Sequence, residues 1–328
     1  MNSKIKLGLI GCGRAAELIY VPALRKFQDI NVAAVVDPAS ERRKLITGNF
    51  KNCYGYPTIN QDFINQIDAA IICSPPDTHI SIASKLLENN KYVLVEKPLA
   101  LSLDGIEELK KIELESNASL MMGFNHRNWK PVTTLKQELS KGLNIFSGSI
   151  VFSGNYHLWN PVSFKTNALN DLGPHVFDLV RYIFDKQVIS SSTFLSDKNK
   201  FKVKIKLEKD ILVDCVIMHS NKNEKSINIK TETGNFFIKL GSTRIQPEDS
   251  LKRNIYDFTD NLKNKLLRKT SPIKESFEIQ LRTFFNLARG NKNIVPGIED
   301  GIFGILASKA AVKSLNENGR QIYLNEIS

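Results

Sequence analysis

Three groups of residues have types and spacing suited to chemistry. The first follows an apolar run, Lys6-Leu-Gly-Leu-Ile-Gly11-Cys12-Gly13-Arg14-Ala15-Ala16, and contains the pattern Gly11-x-Gly13-x-x-Ala16. Gly11 permits a tight turn, Gly13 leaves room for phosphates to approach backbone, and Ala16 lets a following helix pack on the strand. Free N–H groups at that helix start then face an anion, as a dinucleotide pyrophosphate requires. Gly11, Cys12, Gly13, Arg14 and Ala15 are therefore candidate cofactor-binding residues. Asp37 ends the next apolar run, 21 positions beyond Ala16. A carboxylate there can accept from ribose hydroxyls and repels a 2′-phosphate, which favours NAD. Arg42 and Arg43 lie close by and could accommodate that phosphate, so NADP stays open. A ligand-free glycine turn, and a strand-end Asp opening a turn before Pro38, are the plain alternatives.

The second group is Glu96-Lys97-Pro98, at the end of an apolar run that starts at Tyr92. A lysine at the carboxyl edge of a sheet, near a nicotinamide, could stabilise negative charge developing on a reacting oxygen. It could equally be surface charge. Ser74-Pro75-Pro-Asp-Thr-His79 closes another apolar run and stiffens a loop at the same edge. His79 opens a helix, where capping or packing competes with catalysis.

The third group is Asp171-Leu-Gly-Pro-His175-Val-Phe-Asp178. Asp171 and His175 are four apart and share a helix face. A histidine can exchange a proton near neutral pH, as alcohol oxidation requires, and the Asp171 carboxylate, or Asp178 three past His175, could contact substrate or orient the imidazole. A capped helix with a core histidine is the alternative. His79, His126 and His157 show no metal-ligand spacing and His219 stands alone in a strand pattern, so no metal is expected.

The elements that must position these residues follow from pattern. A chain of 328 residues calls for two domains of roughly 100–200 residues each. Residues 1–123 alternate strand and helix. Strands are expected at Ile5–Ile10, Val32–Val36, Ala69–Cys73, Tyr92–Glu96 and Ser119–Gly123, with continuous apolar runs that suit burial on both faces. Helices are expected between them, the last with capping oxygens from Ser102 and Asp104. This is an α/β doubly wound parallel sheet. Residues 124–328 read differently: helices near Pro131–Lys141, Asn170 or Asp171 to Phe184, Ser276–Arg289 and Asp300–Asn316, and alternating strands joined by short polar turns, favouring an antiparallel sheet.

Composition narrows the classes. The net charge is +11, but the basic residues are scattered, and the densest run, Lys263–Lys269, reads as one solvated helical face. A basic chain would attract an anionic small substrate; nucleic acid and membrane partners are not expected. The four cysteines form no C-x-x-C pair, no signal peptide precedes the first strand, and no apolar run has membrane-span length, so a reducing cytoplasm is expected.

In order and spacing, Gly11-x-Gly13-x-x-Ala16, Asp37, Ser74-Pro-Pro-Asp-Thr-His79, Glu96-Lys97-Pro98, Gly123-Phe-Asn125-His-Arg127, Asp171-x-Gly-x-His175-x-x-Asp178 and the tail Phe284-x-x-x-x-Arg-Gly290 … Ala307-x-x-Ala-Ala-Val-x-Ser314 resemble the glucose–fructose oxidoreductase / inositol dehydrogenase / MocA family over nearly the whole chain. The resemblance implies an N-terminal Rossmann domain binding NAD or NADP. It also implies a C-terminal α+β domain with an open, mainly antiparallel sheet that forms homodimers or homotetramers. The implied activity is interconversion of a hydroxyl and a ketone on a sugar, cyclitol or sugar nucleotide. Lys97 matches the family's catalytic lysine, His175 its proton-transferring histidine, and Asp171 the carboxylate of that group. Ser74, Pro75, His79, Glu96, Lys97 and Asn125 fall at cofactor positions. Arg127, Tyr156, Trp159, Lys97, Asp171 and His175 are candidate substrate contacts. The chain departs from the family at Lys165-Thr-Asn-Ala-Leu-Asn170, where relatives often carry a glycine-rich run, and at His126-Arg127, where they often carry two arginines. A sugar nucleotide is the first substrate choice, with inositols and free sugars next. A dinucleotide-binding sensor or scaffold without catalysis is the competitor from another class.

Overall fold

A computed structural model describes residues 4–155, 167–239, 245, 272–291 and 294–327. The chain divides into two compact units, residues 1–124 with 277–305 and residues 125–276 with 306–328. A linear division near residue 124 does not include this late return to the first unit.

The first unit is built on β1 (Ile5–Ile10), β2 (Ile30–Val36), β3 (Tyr54–Tyr56), β4 (Ala69–Ile72), β5 (Tyr92–Val95) and β6 (Leu120–Met122). They form one sheet in the order β3-β2-β1-β4-β5-β6, all parallel. Its helices are α1 (14–24), α2 (Ser40–Thr47), α3 (Gln61–Asn65), α4 (His79–Glu88) and α5 (Ile106–Glu115). Alternate strand residues feed two cores. Ala70, Ile72, Val93 and Val95 meet Leu86, Leu87 and Leu109 on one face, whereas Leu7, Leu9, Ala69, Ile71 and Leu94 meet Tyr20, Leu24, Leu281, Phe284 and Phe285 on the other. Both faces of each central strand are buried, which is why these strands read as unbroken apolar runs. The strand order reverses between β1 and β4, and ligands bind at the carboxyl ends beside such a switch point.

Two local details differ from expectation. β3 is a short, largely exposed edge strand with no apolar pattern to reveal it. Ser102 Oγ donates to Asp104 Oδ2 at 2.7 Å instead of capping a helix, and α5 begins only after Gly105, whose φ is +76°.

The second unit contains α6 (Lys130–Leu139), β7 (Ile145–Gly154), α7 (Ala168–Phe184), β8 (Val188–Asp197), β9 (Lys200–Leu207), β10 (Leu212–His219), β11 (Lys225–Thr231) and β12 (Gly234–Lys239). Of two further helices, α8 (Pro272–Ala288) belongs from Phe277 onward to the first unit and α9 (Ile298–Asn316) does so as far as Ile305; β13 (Ile322–Tyr323) belongs to the second unit. The sheet order is β12-β11-β7-β10-β9-β8-β13, antiparallel throughout except for the parallel pair β7–β10. One sheet face buries Ile150, Phe152, Val203, Ile205, Val213, Cys215 and Ile217; α7 contributes buried Val176, Phe177, Val180 and Phe184. Gly148 is small because a Cβ there would lie 2.3 Å from the Phe184 ring. The alternate face of β9 presents Lys202 and Lys204, both exposed. The basic run 263–269, and Tyr156, His157 and Trp159, lie outside the described residues.

Candidate active site

In the first unit the glycine turn leaves β1 at its carboxyl end. Gly11 has φ +88°, and a Cβ on it would lie 2.6 Å from Ser74 N and 2.7 Å from Cys73 O. Only glycine fits this approach of the β1 and β4 ends. Gly13 is the opposite case: a Cβ there would meet nothing within 4 Å, so the turn is open above it. Arg14 and Ala15 begin α1 immediately after, and Ala16 is fully buried beneath. Asp37 ends β2 beside this turn, its Oδ2 accepting from Cys12 N and its Oδ1 from Ala39 N, each at 2.8 Å. Burial first, then Asp37, pushes the Cys12 thiol up to about 12, so it remains a neutral packing group. Arg43 donates to the carbonyls of Asp37 (2.6 Å) and Pro38 (3.0 Å), and Arg42 lies 3.5 Å from Glu17. The two arginines thus support the loop or pair across it. Open space at Gly13, a helix start and a strand-end carboxylate together fit a dinucleotide.

The neighbouring strand ends carry the other candidates. Ser74 Oγ and Thr78 Oγ1 are 2.7 Å apart in the loop after β4. His79 is 1% exposed, with Nδ1 2.9 Å from Pro98 O and Nε2 2.9 Å from Ser74 O. It ties the Ser74-Pro75 loop to the loop after β5, which is the packing role, and burial lowers its pKa. Glu96 and half-buried Lys97 follow β5, with Lys97–Pro98 in the cis form. Tyr20 donates to Glu96 Oε1 at 2.6 Å, and Lys97 N donates to Oε2 at 3.1 Å.

In the second unit, Asn167 caps α7 by accepting from Asn170 N at 2.9 Å. Asp171 and His175 then fall on one face of its first turns. His175 packs against the His126 ring at 4.5 Å and lies nearly parallel to Phe152 at 5.9 Å. These rings restrict rotation of the imidazole. Lys225 Nζ donates to His126 Nε2 at 2.9 Å, which assigns the His126 proton to Nδ1. His219, at the end of β10, is not isolated: its Nε2 lies 3.2 Å from Asp171 Oδ2. Alternation from Val213, Cys215 and Ile217 puts His219 on the core face, a signal present in the sequence; its partner 48 positions away is not.

Arg127 Nε lies 3.0 Å from both oxygens of Asp178, which is 2% exposed, and its guanidinium sits 5.1 Å above Tyr182. Asn125 is buried and donates to Ser276 Oγ at 3.1 Å. Among the described residues no group of three His, Cys, Asp or Glu side chains could hold a metal ion, and no helix is long and apolar enough to cross a membrane.

A parallel 3-2-1-4-5-6 sheet with this turn defines an NAD-binding Rossmann domain. The GFO_IDH_MocA family model, an oxidoreductase family with an NAD-binding Rossmann fold, matches residues 5–124. Glucose-6-phosphate 3-dehydrogenase of Bacillus subtilis is 30% identical over 69% of this chain and 67% of its own length. Inositol 2-dehydrogenase of Rhizobium meliloti is 24% identical over 57% of each chain, so this chain matches a little over half of that relative. The crystal structure of the WlbA dehydrogenase from Bordetella pertussis, in complex with NADH and UDP-GlcNAcA, has a TM-score of 0.80 at 15% identity, covering 98% of both chains. The chain belongs to the Gfo/Idh/MocA family of oxidoreductases, and its cofactor is NAD.

Proposed function

We propose that this enzyme interconverts a hydroxyl and a ketone on a sugar nucleotide, using NAD(H). The observation that carries the chemistry is the Asp171–His175 pair on one face of α7, with Asp171 held by His219. In the oxidative direction His175 accepts the hydroxyl proton. Lys97 donates a hydrogen bond to the same oxygen and stabilises its developing charge. Asp171 positions His175 or a neighbouring hydroxyl. The bound nicotinamide supplies the hydride acceptor. In reduction Lys97 polarises the ketone and His175 returns the proton. The residues at the glycine turn, Ser74, Pro75, Glu96 and Asn125 would hold the dinucleotide.

The sugar-nucleotide assignment is supported by the net charge of +11 and by the UDP-GlcNAcA bound in one structural relative. Phosphorylated sugars and inositols, named for two relatives, are the next substrates to test. The same reading has the protein in the cytoplasm. It self-associates through the second unit's sheet, whose Phe194 and Leu212 are 44% and 55% exposed.

The experiment follows NADH absorbance with purified protein against a panel of sugar nucleotides, sugar phosphates, free sugars and inositols. Lys97→Met and His175→Ala should each lower kcat by at least about a hundredfold while leaving the NADH Kd within threefold. Lost NADH binding in both variants refutes the roles. NADH binding by the wild type without turnover across the panel favours a sensor or scaffold instead.

A further inference from the structure

We propose that Tyr20 is a positioning residue for Lys97, acting through the Glu96 carboxylate. The inference rests on the catalytic role proposed for Lys97. It starts from an irregularity in α1. Over Ala16–Tyr20 the helix widens to π geometry, and the Val21 N–H donates to Ala16 O, five residues back. Such a bulge changes the face on which following side chains fall, and bulges of this kind recur at functional sites. Here the residue at its end is Tyr20, which has no exposed surface.

Its hydroxyl donates to Glu96 Oε1 at 2.6 Å, and the other oxygen of that carboxylate accepts the backbone N–H of Lys97 at 3.1 Å. A carboxylate held through both oxygens has one orientation. Gly123 leaves it room: a Cβ there would stand 3.2 Å from Glu96 Cα and 3.5 Å from Cδ. Helix α8 closes the arrangement with Gln280, fully buried beside the Tyr20 oxygen. Burial, then the Glu96 charge, raises the Tyr20 pKa well above its ordinary value, so the phenol stays a donor across the working pH range. Tyr20 also packs edge-on to Phe277 at 6.5 Å, a contact a phenylalanine would keep. The hydroxyl adds the link to Glu96, with Gln280 beside it. Through that link the helix that begins at the glycine turn is joined to the strand end that carries Lys97.

The test is Tyr20→Phe in the full-length protein, with Glu96→Gln as the second variant. Tyr20→Phe should lower kcat about tenfold, the scale of one hydrogen bond to a charged group. The KM for NAD and the Kd for NADH should stay within twofold. Carboxyl ¹³C NMR of ¹³C-glutamate-labelled apoprotein, with the Glu96 resonance assigned by its absence in Glu96→Gln, should show a changed Glu96 carboxyl chemical shift in Tyr20→Phe, because its hydroxyl donor has been removed. Combining both substitutions should cost little more than either one. An unchanged kcat overturns the proposal, and so does a kcat loss with an unmoved Glu96 carboxyl chemical shift, which would mark a packing effect. If Tyr20→Phe does not fold, Glu96→Gln decides: a loss of kcat measured at saturating NAD supports the link, and full activity overturns it. If the wild type turns over nothing in the panel, the functional proposal fails, and the Glu96 carboxyl chemical shift alone decides for or against the link.

Discussion

Replacing Arg127 by methionine should unfold the second unit far more readily than it affects any ligand. Arg127 is a candidate substrate contact by sequence, yet its Nε lies 3.0 Å from both oxygens of Asp178, and Nη2 donates to Oδ1 as well. The side chains are 13% and 2% exposed, so the pair is buried. Removing one partner leaves a carboxylate among Phe177, Leu179 and the rest of the α7 core, at a cost of about 3–5 kcal/mol. At roughly 2–4 °C per kcal/mol for a unit of this size, the melting temperature should fall by ~6–20 °C. Replacing both residues with apolar ones, Arg127→Met with Asp178→Leu, should recover most of the loss, because no charge is then left buried. Trp129, 3% exposed, and Trp159 are the only tryptophans, and both lie between residues 125 and 276. Tryptophan fluorescence during urea unfolding therefore reports on this unit. A single-variant loss under ~1 kcal/mol, or losses that simply add in the double variant, would refute the buried-pair account. A raised substrate KM at unchanged stability would return Arg127 to the substrate site.

Three further outcomes follow from local geometry. His219→Ala removes the 3.2 Å contact to Asp171 and should lower kcat about tenfold at unchanged NADH affinity; an unaltered kcat and pH–rate profile would make His219 a packing residue. Gly11→Ala should lower the melting temperature because its Cβ strikes backbone at 2.6 Å, whereas Gly13→Ala should keep the fold and weaken NADH binding; equal stability losses would contradict the open space above Gly13. The folded-state pKa of His79 is lowered, chiefly by burial and partly offset by its carbonyl contacts. Below ~6.5 the unfolded chain therefore binds a proton the folded chain does not, so stability falls as pH drops through that window. Urea unfolding between pH 5 and 7.5 should show a shallower slope for His79→Gln than for the wild type, and parallel slopes would dismiss the histidine as the cause.

Much of the site is local, and local features survive in sequence. Gly11 and Gly13 are set by turn geometry and phosphate access within a few residues. Asp171 and His175 share a face because a helix repeats every 3.6 residues. Continuous apolar runs such as Ala69–Ile72 imply burial on both faces, and their alternation with helices implies the parallel sheet. Lys97 stood out by its place at a strand end, and the family resemblance matched it to a catalytic lysine.

Tertiary structure decided the partners. His219 meets Asp171 because β10 ends beside the start of α7; Arg127 meets Asp178 across 51 positions, and Tyr20 meets Glu96 across 76. The parallel pairing of β7 with β10, within a sheet whose short turns imply antiparallel neighbours, is likewise a long-range result. Even the orientation of Tyr20 depends on a π turn in α1 that no regular periodicity anticipates. The sequence determined which residues could do chemistry and which elements would hold them, because spacing along a helix, strand or turn is fixed by backbone geometry. Which charge each residue faces was left to packing, since hydrogen bonds between residues distant in the chain form only where the core brings them together.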